Sequence, residues 1–144
     1  MRKYLVRDWM TPDPISISPK VTLPEAHRIM RDNKIRRLLV VDRANVVGII
    51  TKGDVREAGP SDATSLSIFE LNYLLAQLTV DKVMTRNPVT ISADATVFDA
   101  AQLMLENKIG GLPVMEKGQL VGIITESDIF REMVQQESAL SEAG

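Results

Sequence analysis

The chain has 144 residues, 44% of them hydrophobic and 25% charged, with a formal net charge of −2. That is enough for one compact domain or two small lobes sharing a core, in the range of ordinary soluble globular proteins. It lacks any apolar run near the roughly 18 residues of a membrane span, lacks cysteine altogether, and has no apolar stretch behind its basic N-terminus to form a signal peptide, a combination that favours the cytosol.

Other function classes find little support. Catalysis needs a positioned acid–base pair, an activated nucleophile or a metal. Here there is no thiol, one histidine (His27) beside the apolar stripe of its helix, and no ligand cluster of metal-binding spacing. Gly-rich phosphate loops are missing. Nucleic-acid binding is disfavoured by the negative charge and by only two tyrosines and one tryptophan. The charge is uneven, however: residues 1–57 hold 12 Lys/Arg against 7 Asp/Glu, and residues 58–144 hold 5 against 12.

Taken in order, the chain repeats itself. Residues 10–54 align without gaps on residues 84–128, with 19 of 45 positions identical. Such an internal duplication predicts two similar units, and two copies suit a closed pair better than a solenoid. Each unit opens with Met-Thr-x-x-Pro and a short β-prone run, residues 15–18 and 89–92. Thr22-x-x-Glu25 and Thr96-x-x-Asp99 then read as capping boxes. The stripes Leu23, Ala26, Ile29, Met30 and Val97, Ala100, Ala101, Met104, Leu105 predict helices with one buried face, ended by Asn33-Lys34 and Asn107-Lys108. Paired β-branched runs follow, 35–41 with 46–50 and 109–115 with 120–124. The four-residue polar loops between them predict hairpins.

Each unit closes on Gly-Ile-Ile-Thr-x-x-Asp, at residues 48–54 and 122–128. This predicts a strand that stops at Thr51 or Thr125 and enters a helix whose first turn carries Asp54 or Asp128. Exposed N–H groups at such a turn suit an anion or a sugar hydroxyl. In the second unit Ile129, Phe130, Met133 and Val134 share a helix face. The order per unit is strand, helix, strand, strand, helix. We divide the chain into a first repeat (1–57), a linker with a bridging helix (58–79), a second repeat (80–135) and a flexible tail (136–144). The linker helix should start at Ser67, with Ile68, Leu71, Leu74, Leu75 and Leu78 as its stripe and Phe69 and Tyr73 widening it. It reads equally as a core helix or a subunit interface. Trp9 and the methionines read as packing residues.

The duplicated Met-Thr-x-x-Pro opening and Gly-Ile-Ile-Thr-x-x-Asp closing resemble a pair of cystathionine β-synthase (CBS) domains, the Bateman module, over roughly residues 5–134. Ser-Ile-Phe-Glu at 67–70 and Ile-Gly-Gly-Leu-Pro-Val at 109–114 look like the CBS part of acetoin-utilisation accessory proteins. The resemblance implies an α+β fold: two βαββα repeats with pseudo-twofold symmetry, packed through their sheets, with two clefts and commonly a disc-like homodimer. It implies a regulatory, non-catalytic protein that binds AMP, ADP or ATP, or adenosylmethionine, and acts on a partner, with no cofactor or metal. By resemblance Asp54 and Asp128 accept hydrogen bonds from a ribose, and Thr51, Thr125 and Ser127 lie near ribose or phosphate. Ser16-Ile17 and Thr90-Ile91 offer backbone and apolar contact to adenine, from the same repeat or the other. Arg36 and Arg37 stand where the family often carries phosphate-facing cations. Gly110 and Gly111 replace them in the second unit, and Glu126 replaces Lys52, so the first cleft is expected to hold a phosphate better. The alternative is a dimerisation scaffold with empty clefts.

Overall fold

The β-branched runs on either side of each polar turn pair as antiparallel hairpins, and the rest of each unit is laid against its hairpin. The computed structural model describes residues 4–59 and 67–143. In chain order the elements are α1 (Val6–Trp9), β1 (Thr11–Pro12), β2 (Ser16–Ile17), α2 (Leu23–Asn33), β3 (Arg37–Asp42), β4 (Asn45–Thr51), α3 (Lys52–Glu57) and α4 (Ile68–Gln77). A 3-10 turn at Val80–Lys82 precedes β5 (Thr85–Arg86), β6 (Ile91–Ser92), α5 (Val97–Asn107), β7 (Gly111–Glu116), β8 (Gln119–Thr125) and α6 (Glu126–Ala143). They form two compact units of mixed α+β structure, each with one four-stranded sheet, ordered β2-β3-β4-β5 and β1-β8-β7-β6. In each sheet the short strand after the opening segment runs parallel to the hairpin, β2 on β3 and β6 on β7.

One unit spans Ile15–Pro88. Its core is Leu23, Ala26, Met30, Leu38, Val40 and Ile50, with Val80 and Met84 from beyond the linker helix. The other joins the segment up to Pro14 to the chain from Val89 onward. Val6 and Trp9 are buried there with Val97, Ala100, Met104, Leu112, Val114 and Ile124. Trp9 is thus a packing residue, as its sequence context predicts.

The helix signals act locally as expected. Thr22 and Thr96 accept from the N–H groups of Glu25 (3.4 Å) and Asp99 (3.1 Å). Only Asp99 completes a capping box, at 3.2 Å to Thr96 N–H. Glu25 turns to Arg28 instead, and that hydrogen bond holds its carboxyl below the usual value. Ser67 caps α4 through Glu70 N–H at 3.2 Å.

Several expectations need correction. The hairpin loops are two residues long, not four, because Asp42 pairs with Asn45 and Glu116 with Gln119. Arg43 and Ala44 (φ 51° and 67°) and Lys117 and Gly118 (52° and 76°) make left-handed turns, whose twist matches that of the flanking strands. Leu105 is 80% exposed rather than buried; Leu103 packs against the core in its stead. Of the four apolar residues expected on one face of α6, Ile129 is buried, while Phe130, Met133 and Val134 are exposed. The tail expected to fray continues as helix to Ala143, since residues 135–143 are mostly good helix formers without Gly or Pro. In the linker helix, Tyr73 and Leu74 are exposed and Leu78 packs on the core. The side chains of Ile68, Phe69 and Leu71, and linker residues 60–66, lie outside the described residues.

The opening segment of each repeat leaves its own hairpin for the other. Thr11 and Pro12 pair with Ile123 and Gly122 on β8, whereas Thr85 and Arg86 pair with Ile49 and Gly48 on β4. Upstream, Val6 N–H donates to Ala95 O (2.8 Å) and Arg7 N–H to Ala93 O (3.1 Å). The same bonds recur 74 positions on, from Val80 N–H to Val21 O (2.8 Å) and from Asp81 N–H to Pro19 O (3.1 Å). Side-chain charge agrees with the exchange. Arg7 pairs with Asp94 and, at 3.1 Å, with Glu116, while at the equivalent places Asp81 pairs with Lys20 at 3.0 Å. The Thr79 hydroxyl and then Lys20 hold the Asp81 carboxyl below its usual value. Docked on its own repeat, Arg7 would face Lys20 and Asp81 would face Asp94. Exposed pairs of this kind are worth only about 0–1 kcal/mol, yet reversing the sign of both discriminates against the wrong docking.

The exchange also explains the glycine that opens each closing motif. A Cβ on Gly122 would lie 2.9 Å from Thr11 O, and one on Gly48 would lie 3.0 Å from Thr85 O. Met10 and Met84 crowd the same places, but a thioether can move aside and a paired backbone oxygen cannot. Gly122→Ala is therefore expected to cost about 1–3 kcal/mol of stability. Ala44→Gly, which copies Gly118 into the first turn, should add about 1 kcal/mol by relieving a left-handed alanine. Urea denaturation midpoints measure both; an unchanged midpoint for Gly122→Ala would show that the exchanged segment yields to the methyl group.

Candidate functional site

A hairpin brings its two ends together, and that places the charged residues of the first repeat. The β3–β4 register sets Arg37 opposite Thr51, and Lys52 N–H donates to Arg36 O at 2.7 Å as the chain leaves the sheet. Thr51 then caps α3. Its hydroxyl accepts from Asp54 N–H at 3.1 Å, and Asp54 Oδ2 accepts from Thr51 N–H at 2.9 Å. The capping box predicted from Thr-x-x-Asp is thus present, and it presents the half-buried Asp54 on the first turn of α3.

Around this turn lies a groove of about 420 Å³ lined by Arg36, Arg37, Thr51, Lys52, Gly53 and Arg56. Four of the six are cations. Among the described residues Arg36, Lys52 and Arg56 make no ion pair. Like charges a few ångströms apart repel by roughly 1 kcal/mol even in water, so an anion in the groove would be favoured on charge alone. Arg56 and Gly53 were not among the predicted site residues. Arg56 had a readable signal, since it stands four residues after Lys52 and helical spacing puts the two on one face. A second groove, about 340 Å³, carries the positive lining onward through Arg31 and Lys34 and shares Arg36 and Lys52 with the first. A third, about 350 Å³, is lined chiefly by Leu23, Pro24, His27, Val55 and Leu75 and shares Lys52 and Arg56. An apolar groove continuous with a basic one suits a molecule with a flat apolar part and an anionic part. His27 is exposed here.

The second repeat builds the same backbone with different chemistry. Glu126 N–H donates to Gly110 O at 3.0 Å, as Lys52 does to Arg36. Thr125 and Asp128 form the matching box, with Asp128 Oδ2 accepting from Thr125 N–H at 2.9 Å. Gly110, Gly111, Glu126 and Phe130 stand where the first repeat has Arg36, Arg37, Lys52 and Arg56. Ser127 and Glu126 are exposed, but Asp128 is buried, 4% exposed.

Of the residues expected to contact adenine, Ser16 and Thr90 are exposed while Ile17 and Ile91 are buried. The two isoleucine side chains belong to the cores, which leaves their backbone for a ligand. The opening strands Ser16-Ile17 and Ile91-Ser92 each stay in the sheet of their own repeat's hairpin. The Met-Thr segments before them cross, Thr11-Pro12 to the hairpin that ends at Thr125 and Thr85-Arg86 to the one that ends at Thr51. Among the described residues no helix is long and apolar enough to cross a membrane.

Comparison with known proteins agrees with this geometry. The family model described as CBS domain matches the chain twice, at residues 6–61 and 80–135. A CBS domain-containing protein of Dictyostelium discoideum is 38% identical over 130 residues, covering 89% of this chain and 90% of that one. Among solved structures, a putative acetoin utilization protein (AcuB) from Vibrio cholerae superposes with a TM-score of 0.78 at 29% identity, over 96% of each chain. This meets the expectation drawn from the linker helix and the Gly-Gly-Leu-Pro-Val strand. CBSX2, solved in complex with AMP, superposes with a TM-score of 0.75 at 28% identity, covering 93% of this chain and 98% of that one.

Proposed function

Because the chain belongs to the CBS domain family, we propose that it is a regulatory module that binds an adenosine nucleotide in the basic groove of the Ile15–Pro88 unit and acts on a partner protein. The observation that carries this reading is the convergence of Arg36, Arg37, Lys52 and Arg56 on the capped turn at Thr51, beside Asp54. It is supported by the likeness to a protein solved with AMP. Guanidinium groups hold phosphate oxygens in pairs of parallel bonds. The Asp54 carboxylate, with Oδ1 outside the capping box, accepts from ribose hydroxyls. The backbone of Ser16-Ile17 is the adenine-side candidate of the same sheet. The cations that continue through Arg31 and Lys34 leave room for further phosphates, so ADP and ATP belong to the class. In this reading the module responds to the energy state of the cytoplasm. Binding signals only in so far as the nucleotide favours one arrangement of the protein over another.

A thermal-shift panel of AMP, ADP, ATP and adenosylmethionine tests this reading. A ligand at about 100 times its dissociation constant should add roughly 2.7 kcal/mol of stability; a scaffold with empty clefts shifts with none of them. Replacing Arg36 and Arg37 with glycine, as in the second repeat, should weaken AMP binding about tenfold or more and flatten its salt dependence. Unchanged AMP affinity would place the phosphate elsewhere.

Self-association is a second part of the proposal. Phe130, Met133 and Val134 lie at i, i+3 and i+4 on α6 and are 61%, 57% and 65% exposed. Tyr73 and Leu74 are exposed on α4 as well. Apolar side chains grouped in this way on a helix mark an interaction surface, and we assign them to a homodimer. Sedimentation at micromolar concentration should show a dimer that Phe130→Glu with Met133→Glu converts to monomer. A wild type that is monomeric with and without nucleotide overturns this part.

A further inference from the structure

A carboxylate accepts hydrogen bonds through two oxygens with about four lone-pair sites. Asp128 fills all of them from within its own unit. Oδ2 takes Thr125 N–H at 2.9 Å and the Thr125 hydroxyl at 3.1 Å. Oδ1 takes the Thr11 hydroxyl at 3.0 Å and the Arg131 guanidinium at 3.3 Å. Asp54, its counterpart in the first repeat, is half-buried and accepts one bond among the described residues, from Thr51 N–H.

One substitution and one difference of contact between identical threonines produce this contrast. Arg131 stands where the first repeat has Glu57, a residue that cannot donate to a carboxylate when ionised. Thr11 reaches Asp128 because the opening segment crosses to this hairpin; Thr85, which crosses to the other, makes no bond to Asp54. Burial alone would hide a carboxylate but leave its oxygens available to a ligand that entered. Here the oxygens are already taken, so a ribose would have to displace a hydroxyl and a guanidinium, and the places of Arg36, Arg37, Lys52 and Arg56 hold no cation in this repeat.

From this we infer that Thr11 and Arg131 are an internal plug of the second cleft. They occupy the hydrogen-bonding capacity that a ribose requires, so Asp128 is a structural residue and the chain takes one adenosine nucleotide, at Asp54. The inference rests on the nucleotide reading above and adds to it the stoichiometry and the residues that set it. Asp54 and Asp128 look interchangeable in the repeat, but they divide the work between ligand and fold.

Calorimetric titration with AMP reads the stoichiometry and both acids. One AMP per chain is expected. Asp54→Asn should weaken binding about tenfold or more, while Asp128→Asn should leave the affinity within about twofold. Two AMP per chain, or loss of a site in Asp128→Asn, overturns the inference. In the converse arm, Thr11→Val with Arg131→Leu, neither of which can donate, vacates Oδ1. Titrated with adenosine, which needs no cations, that variant should show a second site; a stoichiometry that stays at one overturns the role given to the two residues. Failure of the nucleotide reading itself is separable, since it appears as no binding of AMP to wild type. In that event urea denaturation without ligand decides: Asp128→Asn must lower the midpoint well beyond Asp54→Asn, and equal falls overturn the inference. If Asp128→Asn does not fold, Arg131→Leu alone serves, with a lowered midpoint and unchanged AMP affinity expected and an unchanged midpoint overturning it.

Discussion

The structure depends on one close approach. The backbone of an opening Met-Thr segment lies against a hairpin strand at a glycine, Thr11 over Gly122 in one unit and Thr85 over Gly48 in the other. The crossing adds the fourth strand to each sheet and buries Val6, Trp9, Val80 and Met84 in the cores of hairpins from which they are distant in sequence. It also carries the Thr11 hydroxyl to Asp128. Any side chain at the glycine would meet a backbone oxygen held in a ladder. The two most recognisable motifs of each repeat are therefore physical partners, each belonging to the other copy.

Duplication supplied two similar backbone frames, and substitution made them chemically unlike. The hairpin ends converge in both units, and in both the threonine caps a helix and the aspartate closes the box. In one, four cations surround the turn; in the other their places hold two glycines, a glutamate and a phenylalanine. Grouping like charges opposes folding slightly, and proteins keep such costs where a ligand offsets them. The unequal charge of the two halves, +5 for residues 1–57 and −7 for 58–144, has its local meaning in that groove.

Capping chemistry and ligand chemistry compete for the same atoms here. A carboxylate three residues after a threonine has a sufficient local reason to exist, because it satisfies the backbone N–H that the helix start leaves open. Asp54 and Asp128 both meet that need with one oxygen. What differs is the fate of the other oxygen, which at Asp128 is taken by Arg131 from the same helix and by Thr11, brought in by the fold.

Much of this was legible in the residues alone. The offset of 74, the capped helices, the hairpins and the convergence of Arg36, Arg37 and Thr51 follow from patterns that act over a few residues: apolar period, side-chain capping and strand pairing. Burial was less legible, because helical period marks a stripe without saying which edge of it is covered. Leu105 and Phe130 lie on apparent apolar faces and are exposed. The turn length was misread since Arg43-Ala44 lacks the glycine that marks a left-handed turn and that Gly118 supplies in its twin. The sequence by itself determined two βαββα repeats with a capped Thr-x-x-Asp turn in each, since local hydrogen bonding and period dictate those. Tertiary structure alone decided which opening segment serves which hairpin, and hence that the Thr11 hydroxyl joins Arg131, the helix neighbour of Asp128, while Asp54 stays open. Contacts between residues more than a hundred positions apart leave no period in the chain, and they exist only once the exchanged strand has docked.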